Sequence, residues 1–145
     1  MLSLYDFKEM AINKHHISIL ALCIYLLTIC ILCFASPTSI PDTPFDLWGL
    51  PIDKVVHFLM FLPFPILAFL SFISPKYGIF KEFLLIIVIF GIGCSIAIGT
   101  EYIQKFTGYR SFEVKDILAD IAGLIAGSAL TLGYITLKHY IRNDK

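Results

Sequence analysis

The chain has 145 residues, 58% of them hydrophobic and 15% charged, with zero formal net charge and a mean hydropathy of +0.84. A soluble domain of this length has too little interior to hide so much apolar side chain, and a neutral chain lacks the basic face that nucleic-acid binding needs. The composition is that of an integral membrane protein.

Lys8 and Lys14 precede the first apolar segment, Ile17 to Ala35. Cys33-Phe34-Ala35 loosely resembles a signal-peptide cleavage site. The segment is longer than the ~7–15 residues of a signal-peptide core, however, and at 1.5 Å per residue it reaches about 28 Å, enough to cross a bilayer. It reads as a retained helix. Ser36-Pro37, with Pro41, Pro44 and Pro51, ends this helix and keeps the first loop irregular. Trp48 reads as an interfacial anchor before the second span. That span covers residues 55–73 and is bent by Pro63 and Pro65. The carbonyls freed there need partners, and a packing bend is the simplest account. Ser74 to Gly78 forms a short turn. The third span, 83–103, closes at Thr107-Gly108, with the glycine just past the last turn, and the fourth covers 117–137. The expected architecture is all-α: one domain over residues 1–145, a bundle of four transmembrane helices.

Lysine and arginine bias sets the expected orientation. The termini and second loop carry Lys8, Lys14, Lys76, Lys81, Lys138, Arg142 and Lys145, against Lys54, Lys105, Arg110 and Lys115 on the other side. Both termini are therefore expected in the cytoplasm, with the first and third loops on the extracytoplasmic face.

Ionisable residues crowd into that face. Asp53, Lys54 and His57 open the second helix; Lys54 and His57 are three apart and share a helix side. Gly93, Ala97, Glu101 and Gln104 form one stripe of the third helix, and Asp116, Asp120, Gly123 and Gly127 one stripe of the fourth. Small residues let a neighbouring helix come close, so Gly93, Ala97, Gly123 and Gly127 are the expected packing positions beneath a polar end. A second small stripe, Gly91, Ser95 and Gly99, lies on another face. The bland readings are that Glu113 and Asp116 favour the helix dipole, that Glu113 is solvated, and that Lys54, Lys105 and Lys115 snorkel. Asp120 lies about one turn inside its helix among apolar neighbours, where a carboxylate suggests function or an internal partner. Arg110 is suited to a bidentate pair with a carboxylate or a phosphate.

Other signals carry little. Cys23, Cys30, Cys33 and Cys94 sit in apolar runs, and His15, His16 and His139 are explained by interfacial polarity. No metal-ligand spacing, zinc-protease motif, nucleophile elbow or phosphate loop appears, so no metal and no cofactor is assigned. The first helix also lacks the membrane glutamate of small four-helix drug antiporters.

The segments "DKVVHF" and "TEYIQKFTGYRSFEVKDILADIAGLIAG" together resemble the VanZ-like family of bacterial membrane proteins. The resemblance runs from about Asp53 to Gly127 and rests on D-K-x-x-H, E-x-x-Q, R-S-F-E and D-x-x-x-N-x-x-G in that order. It places the family's polar positions on Asp53, Lys54, His57, Glu101, Gln104, Arg110, Asp116 and Gly123. Asp120 stands where the family commonly has asparagine, which puts a role for an amide donor there in doubt. The resemblance implies a multi-pass protein of a bacterial cytoplasmic membrane acting in the cell envelope, because the namesake is associated with low-level teicoplanin resistance. Three readings follow. The polar cluster binds or excludes a lipid-linked precursor or a lipoglycopeptide; or His57 or Glu101 serves as general acid/base in an enzyme acting on an envelope lipid; or the cluster braces the helices. Membrane lipids are the other expected partners; the ligand and oligomeric state are left open.

Overall fold

Backbone polar groups in a bilayer must be satisfied within the chain, and long apolar runs do so as helices. A computed structural model describes residues 4–34, 46–47, 50–108 and 112–144, with side chains described for 14–32, 51–108 and 112–144. Arg110, Trp48, Pro37, Pro41, Pro44, and the side chains of Lys8 and Cys33 lie outside the described residues. The helices are α1 (Leu4–Phe34), α2 (Ile52–Phe61), α3 (Pro63–Phe72), α4 (Ile79–Thr107) and α5 (Val114–Asn143). Four stretches are long and apolar enough to span a membrane: Lys14–Leu32, Ile52–Phe72, Ile79–Thr107 and Val114–Asn143.

The helices outrun the expected limits of 83–103 and 117–137 because the flanking residues are polar yet good helix formers. Lys81, Glu82, Lys105, Lys138 and Arg142 carry the coils on past the hydrocarbon. Gly108 ends α4 in the left-handed region at φ 70°, as its position in the sequence suggests. The first loop holds a minimal antiparallel pairing, β1 (Asp46–Leu47) with β2 (Leu50–Pro51), where an irregular loop was expected.

The second span stays helical through its prolines: Leu62, between α2 and α3, keeps φ −58° and ψ −42° and its N–H donates to the Phe58 carbonyl, while Pro63 and Pro65 each remove an amide donor. Two neighbours pack against this stretch. The Tyr25 hydroxyl of α1 donates to the Met60 carbonyl. On the other side α5 presents glycines: a Cβ on Gly123 would fall 2.3 Å from the Phe58 carbonyl oxygen, and one on Gly127 2.2 Å from that of Leu62. Only hydrogen fits there, so α5 lies backbone to backbone against the second span.

α5 is the central element, packed on α2, α3 and α4, whereas α1 leans chiefly on α3. Phe61, Phe69, Ala97 and Leu124 are wholly or almost wholly buried between them. The Ser71 hydroxyl of α3 ties α1 down by donating to the Ser18 carbonyl at 2.9 Å. Ile17, Leu20, Ile24, Leu27 and Ile31 leave an apolar stripe of α1 facing outward, as a lipid-facing helix requires.

Candidate functional site at the loop end of the bundle

The glycine contacts set the register that builds the site. Gly123 abuts Phe58 on a helix running in the same direction across the bilayer, so one turn earlier Asp120 stands beside His57 and Asp116 beside Lys54. The spacing of three along α2 and four along α5 keeps each set on one face. α4 packs on the other flank of α5 and ends in the same layer with Glu101 and Gln104.

Lys54 is the hub. Its ammonium nitrogen lies 2.8 Å from Asp53 Oδ2 and 2.7 Å from Glu113 Oε2, and it donates as well to Asp116 Oδ1. Beneath it, His57 Nδ1 is 3.0 Å from Asp120 Oδ1, while Nε2 faces Asp116 Oδ2 at 3.6 Å, beyond hydrogen-bonding reach. Glu101 Oε2 accepts the Glu113 backbone N–H at 3.2 Å, which stitches the end of α4 to the start of α5. The site has a floor and a rim. His57, Glu101, Gln104, Asp116 and Asp120 are buried, while Asp53 and Lys54 are partly exposed and Glu113 is exposed. Asp120 Oδ2 is buried with no hydrogen-bond partner among the described residues.

The structure thus brings Asp53, Lys54, His57, Glu101, Gln104, Asp116 and Asp120 to one end, with Gly93, Ala97, Gly123 and Gly127 buried below them. Arg110 belongs to the connection between α4 and α5, outside the described residues. Glu113 is exposed, as expected, and pairs with Lys54 as well. Lys105 does not enter the site; it is exposed, 5.9 Å from the centre of the Phe112 ring, which leans on Tyr102. Lys115 is exposed as well.

A second buried polar group lies at the opposite end, near the chain termini. Glu82, fully buried in the first turn of α4, receives Lys138 Nζ at 2.7 Å and faces His139 Nε2 at 3.1 Å. Arg142 reaches His139 Nδ1 at 2.9 Å. His139 therefore departs from the interfacial reading: it is buried and paired across two helices. The signal for it was indirect. α4 and α5 are antiparallel neighbours, which levels the start of one with the end of the other. Beside this group an open groove of about 1010 Å³ is lined by Lys14, His15, His16, Tyr134 and Lys138, among others. A smaller apolar recess of about 250 Å³ lies between α3 and α5.

Two sets of side chains at the loop end have the donor atoms and spacing to hold a metal ion. His57, Glu101 and Asp116 each place one ligand atom within 4.8 Å of the others, and Asp53, Glu113 and Asp116 do the same. Lys54 sits among the second set.

A family model described as VanZ/LLP1 matches residues 19–137, more than four fifths of the chain. The chain belongs to the VanZ/LLP1 family. The match reaches into all four apolar helices and includes every residue of the loop-end cluster. Comparisons with curated proteins and with solved structures return no significant match. The protein is thus a multi-pass, VanZ-like membrane protein.

Proposed function

We propose that this VanZ-like protein works at the extracytoplasmic rim of a bacterial cytoplasmic membrane. The Lys54–His57 cluster there engages the polar headgroup of a lipid-linked envelope precursor or of a lipoglycopeptide such as teicoplanin, and so lowers susceptibility to that antibiotic. The observation that carries this reading is the partly exposed rim over a buried ionic floor, at the end that the lysine and arginine bias favours for the outside. Lys54 holds Asp53 and Glu113 at this rim, and their carboxylates offer acceptors to the amines and hydroxyls of a headgroup. The test is expression in a teicoplanin-susceptible host. Lys54→Ala is expected to abolish protection; because the substitution also destabilises the fold, protection is scored per amount of protein in the membrane, and full protection by that variant rejects the reading. The charge-swapped pair Lys54→Asp with Asp116→Lys separates recognition from bracing. A brace is restored by the swap, whereas a headgroup site is not.

One contact favours a second reading, a membrane-embedded hydrolase or transferase. Asp120 holds His57 by Nδ1 and turns Nε2 toward the rest of the site, the arrangement by which a carboxylate orients a general base. Incubating purified protein with envelope lipids and following them by mass spectrometry tests it. A product that vanishes in His57→Gln supports catalysis; unchanged lipids reject it.

A further inference from the structure

We propose that His57, Glu101 and Asp116 form a binding site for one divalent transition-metal ion, of the Zn²⁺ or Mn²⁺ class. The ligands come from three helices, α2, α4 and α5, so no local spacing in the sequence announces them. One imidazole nitrogen and two carboxylates suit these ions better than thiolate-seeking ones. All three side chains are buried, and their ligand atoms already lie within 4.8 Å of one another. The 3.6 Å between His57 Nε2 and Asp116 Oδ2 is too long for a hydrogen bond. It is close to the edge of a tetrahedron whose metal–ligand bonds are about 2.0 Å, an edge of about 3.3 Å.

The outer partners point the same way. Metal-binding histidines give their other ring nitrogen to a carboxylate, and metal-binding carboxylates are themselves hydrogen-bonded. His57 meets Asp120 through Nδ1, Asp116 takes Lys54 on Oδ1 and keeps Oδ2 toward His57, and Glu101 accepts the Glu113 N–H. Each ligand is thus held from behind. A separate reason is Asp120 Oδ2, a fully buried carboxylate oxygen without a hydrogen-bond partner among the described residues, whose burial a bound cation nearby offsets. Asp53, Glu113 and Asp116 are the weaker set because the Lys54 ammonium already lies among them. With three protein ligands the ion keeps a coordination position for water or for an oxygen of a headgroup.

The inference stands apart from the proposed antibiotic role, because ion binding is read without any antibiotic. The full chain is purified in detergent, stripped with a chelator and desalted, then titrated separately with Zn²⁺ and Mn²⁺, and bound metal is counted by mass spectrometry. One ion per chain is expected, and Co²⁺ in its place should give the intense visible bands of a low-coordinate site. Glu101→Gln and His57→Gln should weaken binding by about 100-fold or more, and Asp120→Asn by about 10–100-fold. Asp120→Asn keeps an acceptor oxygen for His57, so it serves if the ligand variants fail to fold. His15 and His16 are exposed neighbours at the other end, and replacing both with alanine should leave the stoichiometry unchanged. The proposal is overturned if the wild type binds no ion saturably, if Asp120→Asn binds as tightly as wild type, or if the ion is lost with His15 and His16.

Discussion

Lys54 shows most clearly how a single side chain organises the loop end. Its ammonium meets three carboxylates, one of them, Asp116, almost fully buried. Removing one partner of such a group leaves charge stranded in a medium that solvates it poorly. Lys54→Ala should therefore destabilise the purified protein by about 3 kcal/mol. Adding Asp116→Ala should cost much less than the sum of the two single changes, which a double-mutant cycle of thermal unfolding reads directly. Tyr25→Phe is the milder case. It removes one hydroxyl donor to the Met60 carbonyl and should cost about 0.6–1 kcal/mol, seen as earlier release of α1 in hydrogen exchange. At this scale much of the site was legible, because Asp53, Lys54, His57, Glu101 and Asp116 stand out as ionisable residues in an apolar chain. Glu113 was not. A carboxylate at a helix start is usually solvated, and only the register of α2 against α5 delivers Lys54 to it.

Among the elements, the contact of α5 with the second span decides which glycines matter. Gly123→Ala and Gly127→Ala drive a methyl into carbonyl oxygens and should each cost about 1–3 kcal/mol or more, with reduced abundance in the membrane. Gly93 meets only side chains, chiefly the Leu124 methyls at 2.6 and 3.1 Å, so Gly93→Ala should be absorbed at lower cost. Gly91 and Gly133 have nothing within 4 Å, and alanine there should be neutral or stabilising. A ranking of thermal stability with Gly91→Ala below Gly127→Ala would contradict this packing. The four apolar stretches were plain from hydropathy, and so was a proline disturbance in the second. Helix ends were not, because residues that leave the hydrocarbon lose their apolar signature while keeping their helical preference. What packs on the proline stretch of the second span was not legible: Tyr25 donates to the Met60 carbonyl, and the α5 glycines come against the Phe58 and Leu62 carbonyls.

For the molecule as a whole, the bundle carries a buried ionic group at each end. Glu82 with Lys138 and His139 locks α4 to α5 near the termini, as Glu101 with the Glu113 amide does near the loop. Glu82→Gln should loosen that end, raising hydrogen exchange at the start of α4 and the end of α5 while the loop end stays protected. Uniform exchange along both helices would show that the ends are not independent.

The spacing of those groups has a further consequence. Glu82 and Glu101 are 19 residues apart on α4, and so are Asp120 and His139 on α5. At 1.5 Å per residue both intervals are about 28 Å. That is near the ~30 Å of an average hydrocarbon layer and nearer still to thinner bilayers. A much thicker bilayer would draw both buried polar groups below its surface, away from the water at either end. Reconstituted into bilayers of graded acyl length, it should be most stable near that thickness and lose stability on both sides.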